Sequence, residues 1–195
     1  MSIHKNSKVG FIHIPKNGGT SICDSFGFTK THENIVQSKR KYGNIKYFTT
    51  CRNPYDRFVS SYEYVRMKKS YWHNYTNNTK HPLYDKLSKI SFDECCEILK
   101  NNPNILTKYL QFKTQTEFIT NQNGKVDTNI EIFKLEDMNN GSLESFLKEL
   151  EIEGSLKKTN TSKRKDDYNL YYNDETKKIV YDFYRKDFEA FRYEK

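Results

Sequence analysis

The stretch FIHIPKNGGTSI, from Phe11 to Ile22, decides the fold. Residues 9–14 form a short apolar run that is typical of a buried strand, and Pro15 with the two glycines that follow ends it. From Thr20 onward the apolar residues take a helical spacing. A strand, a glycine-containing loop and a helix in this order predict an α/β unit whose loop faces the N-terminus of the helix.

The loop has the chemistry of an anion-binding site. Backbone N–H groups at a helix N-terminus attract negative charge, and glycines let the backbone approach an anion closely. A lysine adds a charge and two hydroxyl residues add donors. The candidate residues are Lys16, Asn17, Gly18, Gly19, Thr20 and Ser21. The pattern is not the Walker A motif, because the lysine precedes the glycines, and an ordinary tight turn remains an alternative.

A second candidate site follows the next predicted strand, residues 47–51. Asn53 and Pro54 are a strong helix start, as N-cap and first helical residue. Arg52 at the strand end can hold a phosphate with two parallel N–H bonds, and Ser60 can donate from the helix. Arg57 could join them, or could pair with a neighbouring carboxylate as a structural residue.

The remaining pattern alternates strands with helices. Ser91 and Glu94 form a capping box at one helix start, and residues 173–175 cap a long final helix. Residues 130–135 read as a third strand, followed by a helix with Leu143 and Leu147. We therefore expect an α/β fold with a central, mainly parallel sheet flanked by helices. Residues 70–82 are polar and irregular, which is typical of a loop facing the acceptor.

Composition narrows the classes of partner. The net charge of +8 favours an anionic partner, such as a nucleotide, an acidic polysaccharide, nucleic acid or a membrane surface. The four cysteines form no CxxC pair, so we interpret them as reduced thiols in a cytoplasmic protein. Neither a signal peptide nor a stretch of transmembrane length is recognisable. Cys51, although next to Arg52, is interpreted as a small core residue ending its strand.

FIHIPKNGGTSI and CRNPYDRFVSSYEY (Cys51 to Tyr64) resemble the two cofactor signatures of the sulfotransferases that use 3′-phosphoadenosine 5′-phosphosulfate (PAPS). The likeness is nearest to the carbohydrate O-sulfotransferase branch, and it extends through segments beginning at Gln115 and Ile132 to the C-terminal helix. It implies a single P-loop-like, three-layer domain over residues 1–195. Asn17 departs from the family, where threonine is usual, but a loop that binds through its backbone should tolerate the change.

The resemblance implies specific roles. The first loop, Lys16 to Ser21, would hold the 5′-phosphosulfate, and Arg52 with Ser60 would hold the 3′-phosphate. Lys163 and Arg164 would reach the 3′-phosphate from a later loop, although a surface basic run is the alternative.

Sulfuryl transfer needs in-line geometry and stabilisation of the leaving phosphate, which we assign to Lys16 and the loop N–H groups. The bis-phosphate is a good leaving group, so we expect no metal. The resemblance implies His32 as the base that takes the acceptor's proton, because relatives often have a histidine near this position. A structural role for His32, with Glu33 as the base, is the alternative. His13 is interpreted as a satisfied structural histidine.

The acceptor is expected to be a hydroxyl group, in a glycan rather than a steroid or phenol, because the basic clusters suit an acidic sugar. Trp72 could stack on a sugar ring or anchor its own loop. Three other functions stay open: a kinase or hydrolase using ATP or GTP, a nucleic-acid-binding module, and a catalytically inactive PAPS-binding relative. A requirement for a 3′-phosphate would separate the first two from a sulfotransferase.

Overall fold

A computed structural model describes residues 2–4, 8–70, 79–157 and 167–195. The strands are β1 (Ser2–Ile3), β2 (Val9–Ile12), β3 (Lys46–Cys51) and β4 (Ile130–Lys134). The α-helices are α1 (Gly19–Phe26), α2 (Ile35–Tyr42), α3 (Pro54–Arg66), α4 (Tyr84–Leu87), α5 (Phe92–Asn101), α6 (Asn104–Thr107), α7 (Thr116–Ile119), α8 (Ser142–Glu149) and α9 (Asp174–Phe191). Short 3₁₀ segments lie at Leu110–Phe112, Leu135–Asn140 and Tyr168–Tyr171.

The described residues cluster into two compact units. The first takes its residues from Met1–Arg52, Thr114–Thr161 and Glu189–Tyr193. The second takes them from Asn53–Lys113, Ser162–Phe188 and Glu194–Lys195. The expectation of one domain over residues 1–195 stays a prediction.

The first unit holds the sheet, in the order β1-β2-β3-β4. β2, β3 and β4 are parallel, with Phe11 opposite Phe48 and Thr49 opposite Ile132, and β1 adds an antiparallel edge strand. The prediction of a mainly parallel sheet is therefore confirmed. Since parallel strands end at the same edge, the loops that follow β2 and β3 lie side by side.

Helices cover both faces of this sheet, because successive residues of a strand point to opposite sides. On one face Phe11 and Phe48 stack with ring centroids 4.8 Å apart and pack with residues of α1 and α8. On the other face Ile12 and Tyr47 pack with residues of α2 and α7. The first unit thus has the three-layer arrangement that the sequence predicts.

The second unit is helical, and its start was predicted correctly. The Asn53 side chain accepts a hydrogen bond from the Tyr55 N–H, and Pro54 is the first residue of α3. Ser91 and Glu94 form the predicted capping box of α5. The unit's interior is built from aromatic rings, with Phe58 and Phe92 packed edge to face. No helix among the described residues combines the length and the apolar content that crossing a membrane requires.

Candidate active site

The loop between β2 and α1 has an unusual backbone. Lys16 and Gly18 both lie in the left-handed region, with φ of 73° and 75°. This conformation is costly for a lysine. The turn leads directly into α1, whose first turn carries no acidic residue. The first N–H groups of a helix have no partner within it, which is the geometry that binds anions at helix N-termini.

The two glycines are required by close packing. A Cβ at Gly18 would lie 2.6 Å from Cδ1 of Leu135. A Cβ at Gly19 would overlap Cδ2 and Nε2 of His13. The His13 ring therefore lies against the first residue of α1, and only glycine fits beneath it. Thr20 and Ser21, also predicted to bind the anion, are half-buried in the first turn.

β3 bonds to the last residue of β2 and to the loop that follows it. The Thr49 hydroxyl donates to the Ile12 carbonyl at 2.7 Å, and the Thr50 hydroxyl donates to the Asn17 carbonyl at 2.8 Å. All four groups are buried. The conformation of the loop is thus determined by the neighbouring strand as well as by its own sequence. Two polar residues in the buried run YFTTC were the available signal for this role, and sequence reasoning missed it.

Asn17 is a buried residue whose side chain faces the protein interior. Its amide nitrogen donates to the Thr50 carbonyl and to Oε1 of Gln115, both at 2.7 Å. Within the described parts of the chain, its Oδ1 has no hydrogen-bond partner. A cofactor contact at this residue would therefore use the backbone, as the sequence predicts.

Arg52 lies at the carboxyl end of β3, next to the same loop. One of its guanidinium N–H groups donates to the Lys16 carbonyl at 3.0 Å. The structure therefore brings the Arg52 guanidinium to the backbone of the loop that carries Lys16. Ser60 and Arg57 are buried on α3 in the second unit, so the pairing of Arg52 with Ser60 stays a prediction. Arg57 donates to the Lys113 carbonyl at 2.7 Å, which fits its structural interpretation.

Two histidines lie beside the loop, in contact with each other. The ring centroids of His13 and His32 are 4.3 Å apart, and Nδ1 of His32 is 2.8 Å from the His13 carbonyl oxygen. A carbonyl oxygen only accepts, so Nδ1 of His32 carries the proton and the lone pair of a neutral ring is on Nε2. Burial lowers the pKa of His32, partly offset by this hydrogen bond.

His13 is buried as predicted, but it is not satisfied. Among the described residues, none forms a hydrogen bond with its Nδ1. Burial and the nearby His32 ring hold its pKa well below the usual value, which keeps the ring neutral. The prediction of a satisfied structural histidine is thus wrong at this atom.

The structure describes some of the remaining candidate residues and not others. Cys51 is buried, its Sγ is 3.6 Å from the Tyr193 hydroxyl, and burial raises its pKa to about 12, so it is a core thiol as predicted. Glu33 is 3.4 Å from the ammonium of Lys41. Lys163, Arg164 and Trp72 lie outside the described residues. Within the described parts of the chain, no group of three or more His, Cys, Asp or Glu side chains could hold a metal ion.

Comparisons with known proteins agree with this geometry. A family model described as "Sulfotransferase family" matches residues 1–194. The fold is similar to that of mouse sulfotransferase SULT7A1, solved in complex with PAP, with a TM-score of 0.55. The two chains are 13% identical, and the match covers 96% of this chain and 86% of that one. A search of curated proteins found no match.

Proposed function

Because this chain belongs to the sulfotransferase family, we propose that it transfers the sulfuryl group of PAPS to a carbohydrate hydroxyl group, with His32 as the base. One observation carries the proposal for the base. The His13 carbonyl fixes the His32 ring beside the loop, in the tautomer that leaves Nε2 able to accept a proton.

The residues of the β2–α1 loop fit the co-substrate. Lys16, the left-handed backbone at Gly18 and the start of α1 supply the charge and N–H groups that a phosphate needs. PAPS would supply the sulfuryl group and a bis-phosphate leaving group. Lys16 and the loop N–H groups would stabilise the charge that grows on the departing phosphate. Arg52, next to the loop, would hold the 3′-phosphate together with Ser60, Lys163 and Arg164.

His32 has the properties of a base that works near neutral pH. Its lowered pKa keeps the ring neutral at pH 7, so Nε2 accepts a proton from the acceptor hydroxyl. The ring then becomes positively charged, and its Nδ1–H bond to the His13 carbonyl becomes stronger. Glu33 is the second candidate, but its ion pair with Lys41 stabilises the unprotonated carboxylate and makes it a weaker base.

A carbohydrate acceptor suits the polar surface near α2. A groove there is lined by Arg40, by Lys39 with its ion-pair partner Asp127, and by side-chain amides of residues 121–129. Amides and cations are the groups that bind sugar hydroxyls and carboxylates. We also propose a cytoplasmic location, because all four cysteines are buried free thiols.

The test is transfer of labelled sulfate from PAPS to a panel of neutral and acidic sugars, with phenol and steroid acceptors as the comparison. His32→Ala should lower kcat by about 10²–10⁴-fold and leave calorimetric binding of PAP unchanged. Because burial lowers the pKa of His32, kcat in the wild type should fall only at a pH below the range in which an ordinary histidine titrates, and this dependence should disappear in the variant. A wild-type rate in His32→Ala would show that another group is the base. Transfer confined to phenols would exclude the carbohydrate acceptor.

A further inference from the structure

A buried glutamine links the two loops of the candidate active site. Gln115 is fully buried and precedes α7. Its Oε1 accepts hydrogen bonds from the Asn17 amide at 2.7 Å and from the Arg52 backbone N–H at 3.0 Å. Its Nε2 donates to the Arg52 carbonyl at 2.9 Å. One side chain thus holds both backbone polar groups of Arg52 and is tied to the loop that carries Lys16.

The orientation of these two amides is determined by their neighbours. Reversing Gln115 would place its nitrogen against the Arg52 N–H and its oxygen against the Arg52 carbonyl, so both bonds would be lost. Reversing Asn17 would place its oxygen against the Thr50 carbonyl and Oε1 of Gln115. With the nitrogen facing these two oxygens, Oδ1 of Asn17 is left buried, and none of the described residues forms a hydrogen bond with it. The two hydrogen bonds donated by the Asn17 nitrogen therefore outweigh the cost of one buried oxygen without a partner among the described residues.

Asn17 has two N–H donors where a threonine would have a single hydroxyl. Both donors are used, one on β3 and one on Gln115. Asn17 therefore makes a connection that a single hydroxyl could not make while also bonding to Thr50.

We propose that Gln115 is a positioning residue that sets the place of Arg52 relative to the Lys16 loop and thereby the preference of the enzyme for a 3′-phosphate. This role rests on the proposed function, in which Arg52 binds that phosphate. Gln115 acts through the backbone of Arg52 and through Asn17, and not by contact with the cofactor.

The test compares the dissociation constants of PAP and of 5′-AMP, which differ by the 3′-phosphate alone. The ratio of the two constants measures the preference for the 3′-phosphate. Gln115→Met keeps the length of the side chain but removes all three bonds. It should lower the ratio by about tenfold and change 5′-AMP binding by less than about threefold. Gln111→Met, which changes a buried glutamine bonded to His81, is the matched control and should keep the ratio within about twofold.

A double-mutant cycle with Arg52→Ala separates positioning from general damage. If Gln115 acts through Arg52, Gln115→Met should cause no further loss of the ratio in the Arg52→Ala background. A further tenfold loss there would overturn the proposed role. If Gln115→Met does not fold, Asn17→Thr removes the bond to Gln115 and should lower the ratio by about threefold; an unchanged ratio would overturn the proposal.

The outcome for the wild type distinguishes this proposal from the function on which it rests. A wild-type ratio near one would overturn the proposed use of PAPS, and the role of Gln115 with it. A wild-type ratio well above one that persists in Gln115→Met would overturn the role of Gln115 alone.

Discussion

Gly19→Ala tests the packing of the His13 ring against the first residue of α1. The new Cβ would overlap Cδ2 and Nε2 of the ring and lie 2.9 Å from its Cγ. The His13 ring has little room to move, because its centroid lies 5.4 Å from that of the stacked Phe11 ring and 4.3 Å from that of the His32 ring. Overpacking of this kind costs about 1–3 kcal/mol, and alanine regains up to about 1 kcal/mol as a better helix former than glycine.

The expected net loss is about 1–2 kcal/mol, or a Tm lower by roughly 2–8 °C for a chain of this size. The assay is thermal unfolding together with urea unfolding of wild type, Gly19→Ala, His13→Ala and the double variant. In the His13→Ala background the overlap is removed, so Gly19→Ala should be neutral or stabilising. An equal loss in both backgrounds would refute the contact between His13 and Gly19.

Thr50→Val removes the bond to the buried Asn17 carbonyl and should cost about 1–3 kcal/mol in urea unfolding; an unchanged midpoint would contradict that bond. Burial lowers the pKa of His81 to about 4. Between about pH 6.5 and pH 4, His81 is therefore protonated in the unfolded chain and neutral in the folded chain. The free energy of unfolding should therefore decrease by about 2 kcal/mol from pH 7 to pH 5 because of His81, and this decrease should be absent in His81→Gln. Lys16→Ala should lower kcat by about 10²–10³-fold, as measured with labelled PAPS, and wild-type turnover would remove Lys16 from the mechanism. Arg52→Ala should weaken PAP binding at least about tenfold in calorimetry, and retained affinity would remove Arg52 from the 3′-phosphate site.

The sequence predicted elements with local signals well. The strand at residues 9–14 is shorter than expected, because Val9–Ile12 alone pairs in the sheet and His13 leaves it toward the loop. α2 was not predicted, although Asn34 and Gln37 form a capping box at its start. The apolar residues of that helix are few, so periodicity gave no signal.

The site was predictable only where the residue type itself carries chemistry. Lys16 was predicted because a lysine beside two glycines suggests phosphate binding, and Arg52 because an arginine at a strand end can hold a phosphate with two N–H bonds. Gln115 was not assigned a role, because its neighbours Asn17 and Arg52 are 98 and 63 residues away in the chain. The tautomer of His32 depends on a backbone carbonyl, which no side-chain pattern reveals.

The left-handed backbone of Lys16 has a consequence for engineering. A lysine at φ 73° is less stable there than glycine or asparagine would be. A library selected only for heat resistance would favour those replacements, and each of them would remove the cation that we propose stabilises the departing phosphate. Thermostable variants enriched in this way would be well folded and inactive. A selection that scores turnover together with melting temperature would keep the lysine and its strain.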